Sequence, residues 1–233
     1  KGFLENEVVI AVKYEAGEKL IGHRWIRTVK HDGSIKYRLV ATEVAYTAAD
    51  ASLFAATPSL SSLRVILAAA SVSLQKLGPR FLAVGVDLTK AFLNAILPPH
   101  MQVKVRAPKE AGLPKGVCWL AQRALYGLRA SPAMWAKFFR ELMLSMNFKC
   151  SRFEPCVFKH ATSSVVVICH VDDLFVYGLG TEVEEFIRVL QTHVKCSQPD
   201  WLRRSGDKLL MLGRTIQRTA RGFVVTADPK HCL

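Results

Sequence analysis

The sequence predicts an α+β fold in which antiparallel strands are backed by helices. Two observations carry this: short β-rich runs that come in pairs around turn residues, and longer segments that are either continuously apolar or apolar on one helical face. Half of the 233 residues are apolar, which is enough to bury a sizeable core in one large domain or two closely packed subdomains.

The elements follow in chain order. Trp25 to Lys30 and Ile35 to Val40 read as two strands, with Asp32-Gly33 marking the turn between them. Residues 42 to 58 are rich in Ala and Thr and read as a weakly specified connection. Leu60 to Leu77 is almost continuously apolar around Ser61-Ser62 and long enough for a buried helix. Phe81 to Val86 is an apolar run that ends at Asp87, the pattern of an interior strand delivering a carboxylate. Pro98, Pro99, Pro108 and Pro114 punctuate a loop-rich stretch in which Met101 to Arg106 forms a strand.

The next helix opens with Ser131 as cap and Pro132 in its first turn, and carries Trp135, Phe138, Phe139, Leu142, Met143 and Met146 on one face. Val165 to Ile168 and Leu174 to Tyr177 are two strands separated by Cys169-His170-Val171-Asp172-Asp173, which puts two carboxylates at or beside a hairpin turn. Thr181 with Glu184 forms a capping-box pattern ahead of Val183, Phe186, Ile187, Leu190 and Val194. Leu209 to Ile216 and Phe223 to Thr226, joined through Arg221-Gly222, read as a last hairpin.

Lys and Arg number 32 against 19 Asp and Glu, a formal charge of +13. Such an excess attracts polyanions by steering and counterion release, so nucleic acid is the expected partner; the bland alternative is a solvated basic surface. The six cysteines form no C-x-x-C pair, and no signal-peptide pattern opens the chain, so a reducing intracellular compartment is expected. The run from Val165 to Tyr177 is too short to span a bilayer, and no membrane partner is expected. The first residue is Lys, and the last residues still read as structured sequence, so the chain reads as part of a longer one.

Adjacent aspartates flanked by apolar strand residues are physically odd, because a carboxylate drawn toward a core costs several kcal/mol unless something pairs with it. A divalent cation would do so. Asp87 supplies a third carboxylate if its strand pairs with the Asp172-Asp173 hairpin, and an all-oxygen shell of this kind suits Mg²⁺ or Mn²⁺ rather than zinc. By itself an Asp-Asp pair is more often a turn whose acids face water.

Four segments in order change that balance. Arg38-Leu39-Val40-Ala41, Asp87-Leu88-Thr89-Lys90-Ala91-Phe92-Leu93-Asn94, Leu125-Tyr126-Gly127-Leu128-Arg129-Ala130-Ser131-Pro132 and Val171-Asp172-Asp173-Leu174 resemble the successive motifs of copia-type retrotransposon reverse transcriptases. The likeness runs from about Trp25 to the C-terminus. It implies a right-hand polymerase with a fingers-rich part over about residues 20–80, a palm with a fingers insertion over about 81–207, and a primer-grip-like hairpin over about 208–233; a thumb and an RNase H domain are not expected within this chain.

The resemblance also implies roles. Asp87, Asp172 and Asp173 would be the catalytic triad holding two Mg²⁺ or Mn²⁺ ions. Lys36 and Arg38 would hold the incoming deoxynucleoside triphosphate, Phe92 would gate the ribose 2′-hydroxyl, and Tyr126 and Gly127 would lie near the nascent base pair. Arg129, His170, Val171, Leu212 and Gly213 would touch primer or template, and Lys195 lies near the family's lysine that protonates pyrophosphate. Implied partners are an RNA or DNA template with primer and, in the parent polyprotein, integrase and RNase H domains; the implied setting is a cytoplasmic virus-like particle or the nucleus. The chain departs from the family pattern at His170, usually Tyr, at Thr42-Glu43, usually Lys-Gly, and at Ala95, where Gly is common. These departures also fit a catalytically impaired, nucleic-acid-binding remnant of a decaying element.

Overall fold

The computed structural model describes residues 2–29, 33–43 and 53–227. The chain divides into two compact units, Lys1–Ala55 with Ala91–Phe138 and Ala56–Lys90 with Phe139–Leu233. Residue 80 lies inside the second of these units. The helix at 60–77, expected in the fingers, belongs to the unit that holds the carboxylates.

In the first unit, α1 (Gly2–Glu5), β1 (Val9–Lys13), β2 (Leu20–Val29), β3 (Ile35–Thr42), β5 (Lys104–Val105) and β6 (Val117–Ala121) surround a core of Val9, Ile21, Leu39, Ala41, Leu97, Val105, Trp119 and Leu125. Its five strands run in the order β1-β6-β5-β2-β3. The anticipated β2–β3 ladder is present from Gly22↔Thr42 to Val29↔Ile35. Gly33 takes the left-handed φ of 77° that a turn demands; His31 and Asp32 lie outside the described residues, as do positions 44–52 of the expected connection and Cys232. The strand expected over Met101 to Arg106 shrinks to two residues, because a 3₁₀ turn occupies Pro99–Met101.

The second unit is built on six strands in the order β11-β4-β10-β9-β8-β7, every neighbouring pair antiparallel. They are β4 (Phe81–Asp87), β7 (Phe148–Cys150), β8 (Val157–His160), β9 (Val166–His170), β10 (Asp173–Leu179) and β11 (Asp200–Leu202). Every residue of β4 from Phe81 to Val86 is buried, as an interior strand covered on both faces requires.

One face of this sheet packs on α2 (Leu60–Leu77) and on a meander of β12 (Lys208–Met211), β13 (Arg214–Arg218) and β14 (Phe223–Ala227). Leu63, Leu67, Ala70 and Leu74 of α2 meet Phe81, Ala83, Phe175 and Tyr177 there, together with Leu209, Met211 and Ile216. Each fully buried Leu contributes about 2 kcal/mol of transfer free energy. By length and composition α2, unlike the shorter run at 165–177, would suffice to cross a bilayer; its apolar stripe lies against the sheet. The other face carries α4 (Gly180–His193), whose Val183, Phe186, Ile187 and Leu190 are buried.

Several local expectations change. Ser59 caps α2 by accepting from the Ser62 N–H. Ser131 opens α3 (Ser131–Ser145), but its hydroxyl donates to the Leu125 carbonyl rather than capping the helix. α4 starts one residue before Thr181, no side chain caps it, and Glu184 pairs with Arg203 at 2.8 Å instead of closing a capping box. The last hairpin is a three-stranded meander, because Leu212 (φ 53°) and Gly213 (φ 64°) make a two-residue turn inside what reads as one strand. Buried Arg218 fastens this meander to β11 by donating to the carbonyls of Leu202 and Arg203.

Candidate active site

β4 and β10 pair so that Asp87 stands opposite Asp173, and β10 pairs with β9 so that Asp173 stands opposite His170. Only Val171 and Asp172 separate β9 from β10, so the adjacent aspartates are the last residue of a tight turn and the first residue of a strand. The Asp172 carbonyl accepts the Leu88 N–H at 2.7 Å, which ties the turn to the chain just after Asp87. One carboxylate oxygen from each of Asp87, Asp172 and Asp173 lies within 4.8 Å of the others. The three acids expected to converge do so.

Asp87 is exposed while Asp172 and Asp173 are half-buried. Burial, and then the neighbouring charges of Asp172 and Asp87, push the Asp173 carboxyl up to about 6. Crowded carboxylates with oxygen-only donors are the chemistry a hard divalent cation relieves. The thiol of Cys169 beside them is buried and pushed well up, and that of Cys196 is raised to about 11 by burial and by Asp87. In the cation-free chain both thiols therefore stay protonated near neutral pH.

Val171 sits at φ 56°, a left-handed conformation that a β-branched residue adopts only under constraint. Lys195 is exposed, and its carbonyl accepts the Thr89 N–H at 2.7 Å, so its backbone is fixed two residues along from Asp87. The chain beyond Lys195 grips Asp87 through Ser197, a residue that no motif marks. Leu212 and Gly213 form the β12–β13 turn. All of these lie in the same unit as the three acids.

The remaining expected residues belong to the first unit. Exposed Lys36 and half-buried Arg38 alternate along β3 on one face of the ribbon, opposite Thr28 and Ile26 of β2. Phe92 packs edge-on against Tyr126 with ring centroids 5.1 Å apart. The Tyr126 carbonyl accepts the Ala41 N–H at 2.7 Å, which joins two of the motif segments directly. Gly127, at φ 85°, has no room for a Cβ: one would stand 2.0 Å from the Ala41 carbonyl oxygen. Its glycine is thus explained by the β3 backbone before any nucleotide approaches. The Arg129 N–H donates to the Glu43 carboxylate at 2.9 Å, and Lys19 pairs with the same carboxylate at 3.3 Å. Glu43, a departure from the family pattern, has acquired structural partners of its own.

Comparison with known proteins agrees with this geometry. The family model described as reverse transcriptase (RNA-dependent DNA polymerase) matches residues 6–224. The chain is 25% identical over 186 residues to the retrovirus-related Pol polyprotein from transposon TNT 1-94 of Nicotiana tabacum, covering 75% of this chain and 13% of that protein. It is 30% identical over 178 residues to the retrovirus-related Pol polyprotein from transposon RE1 of Arabidopsis thaliana, covering 68% of this chain and 11% of that protein. It thus spans only a small part of these polyproteins. Among solved structures, telomerase from Candida albicans in complex with a fragment of telomeric RNA superposes with a TM-score of 0.56 at 8% identity, over 97% of this chain and 48% of that one. Apo telomerase from Candida tropicalis gives 0.51 at 9% identity, over 97% and 58%. At such identities the likeness is one of fold.

Proposed function

The chain belongs to the reverse transcriptase (RNA-dependent DNA polymerase) family, and from that premise we propose that it carries the polymerising centre of a retrotransposon Pol polyprotein, extending a primer 3′ end with deoxynucleotides on an RNA or DNA template. The observation that carries this reading is the convergence of Asp87, Asp172 and Asp173 within 4.8 Å at the end of the β4–β10–β9 sheet. In this reading the unit built on that sheet is the palm, and β2, β3 and their neighbours belong to the fingers.

The fit to a divalent metal centre rests on the donor set: three carboxylates, all oxygen, crowded enough to raise Asp173. Asp87, Asp172 and Asp173 would hold two Mg²⁺ or Mn²⁺ ions, which when bound supply activation of the primer 3′-hydroxyl and charge neutralisation of the leaving pyrophosphate. Lys36 and Arg38 would hold the triphosphate, the planar guanidinium pairing with phosphate or stacking on the base. Phe92, steadied by Tyr126, would close the space that a 2′-hydroxyl needs. His170, Val171, Leu212 and Gly213 would support the primer end, Arg129 would lie along the template, and Lys195 would give a proton to pyrophosphate. The formal charge of +13 favours long-range capture of template and primer. The five described cysteines are all free thiols, in keeping with a reducing intracellular setting.

Primer extension on an RNA template with Mg²⁺ tests the reading. The wild-type chain should extend the primer, and Asp172→Asn and Asp173→Asn should each lower the rate by on the order of a thousandfold or more. Activity persisting in both variants would remove the triad from catalysis. No extension by wild type, with salt-sensitive duplex binding retained, would instead favour a nucleic-acid-binding protein that no longer polymerises.

A further inference from the structure

The chain following α4 runs back along the end of β4 as an irregular edge. The Thr89 N–H donates to the Lys195 carbonyl at 2.7 Å, Leu88 bridges to Cys196, and the Ser197 N–H donates to the Asp87 carbonyl at 2.8 Å. Regular pairing resumes at Gly85↔Asp200. Between the Leu88↔Cys196 and Gly85↔Asp200 pairs, β4 has two residues and the edge segment three, so the edge carries one extra residue, a β-bulge. In a regular antiparallel pair the Asp87 N–H would donate to the Ser197 carbonyl. At this bulge it donates to the Ser197 Oγ instead, at 3.2 Å.

We propose that Ser197 is a positioning residue of the metal centre, its hydroxyl fixing the Asp87 backbone where the edge strand bulges and thereby setting the affinity and size preference for the divalent cation. The inference rests on reading the three acids as a metal site. Three carboxylates within 4.8 Å repel one another, and the backbone ties on each side contribute to holding them in place. Asp173 is locked between β4 and β9, and Asp172 is tied to Leu88 through its carbonyl. Asp87 ends β4, is exposed, and depends on the edge segment for its last ladder bonds. Because it is exposed, water can take over its N–H when the hydroxyl is removed. Fold stability is then largely kept while alignment is lost. Mg²⁺ demands near-octahedral geometry, whereas Ca²⁺ tolerates irregular shells, so loosened alignment should penalise Mg²⁺ more.

The experiment is calorimetric titration of the whole chain, free of nucleic acid, with Mg²⁺ and separately with Ca²⁺, for wild type, Ser197→Ala, Ser197→Thr and Asp87→Asn, alongside melting in EDTA. Ser197→Ala should weaken Mg²⁺ by roughly two- to tenfold, the equivalent of one ordinary hydrogen bond, and Ca²⁺ by less. Its melting temperature should stay near wild type, and Ser197→Thr should restore Mg²⁺ affinity. Unchanged Mg²⁺ and Ca²⁺ binding in Ser197→Ala would overturn the proposal. So would an equal loss of both ions with a fall in melting temperature, the pattern of a merely structural serine. A wild-type chain no better than Asp87→Asn at binding either ion would overturn the metal-site reading itself, and the role of Ser197 with it.

Discussion

Asp87 and Asp173 face each other directly across neighbouring antiparallel strands, the last residue of β4 against the first of β10. Like charges placed opposite each other on a sheet destabilise it, and here a third carboxylate stands within 4.8 Å. The fold therefore carries an electrostatic cost at this point that a bound cation would relieve.

Asp173→Asn should consequently stabilise the cation-free protein while abolishing cation binding. The gain is at most roughly 1 kcal/mol, since Asp173 is only half-buried and solvent screens part of the repulsion. It should depend on pH. The folded-state value of about 6 lies above the ordinary 3.8, so the folded chain holds an extra proton between the two. The destabilisation from Asp173 is thus absent below about 3.8 and complete above about 6, and the stabilising effect of the substitution should fade as pH falls through that window. Melting temperatures in EDTA at pH 4 and pH 7.5 test this. An equal gain at both pH values would contradict it.

The same proton competes with the cation. Mn²⁺ binding, followed by electron paramagnetic resonance of the free ion, should be roughly tenfold weaker at pH 5 than at pH 7, because a carboxyl titrating near 6 is mostly protonated at the lower pH. Above pH 7 the affinity should level off. A flat profile from pH 5 to 7 would mean that Asp173 is not a ligand.

The triad was legible because its signal is crude: a carboxylate at the end of an apolar strand run, or bracketed by two such runs, must be paired, solvated or bound to a cation. The helices at 60–77 and 131–145 were legible for a similar reason, since long apolar stripes leave little choice of conformation. What escaped depends on single contacts between distant segments. β1 is added to the sheet by pairing with β6, which also pairs with β5, and neither β1 nor β6 has a pattern that identifies it alone. The Leu212–Gly213 turn was hidden because leucine seldom adopts a left-handed φ. Gly127 was legible as a glycine that matters, but its reason, the carbonyl of Ala41, lies more than eighty residues away in sequence. Ser197 left no trace, because a bulge is a property of register between two strands rather than of either sequence.

Phe92 presents a case in which structural and functional roles overlap. Its ring rests edge-on against Tyr126 and packs against the core of its own unit. Phe92→Ala should therefore cost about 2–3 kcal/mol of stability, less than a fully buried ring because the side chain is only partly buried. If Phe92 also excludes the ribose 2′-hydroxyl, the same variant should raise incorporation of ribonucleotides relative to deoxyribonucleotides. Phe92→Tyr, which keeps the ring, should leave discrimination near wild type. A ratio unchanged in Phe92→Ala, measured by single-nucleotide extension, would leave the residue with its packing role alone.

Val171 offers a test of strain at the site. At φ 56° a β-branched residue costs roughly 1–2 kcal/mol, and the ladder pairs at His170↔Asp173 hold it there. Asparagine tolerates this conformation, so Val171→Asn should stabilise the protein by up to about 1 kcal/mol, a rise of a few degrees in melting temperature. Val171→Ile keeps the branch and should bring no gain. Glycine would relieve the clash but give back roughly 0.5–1 kcal/mol in chain entropy, so Val171→Gly should fall between them. Were all three variants to melt together, the turn would not be strained, and the positive φ would have to be accounted for by the interactions of the Val171 side chain rather than by the β9–β10 ladder that closes on it.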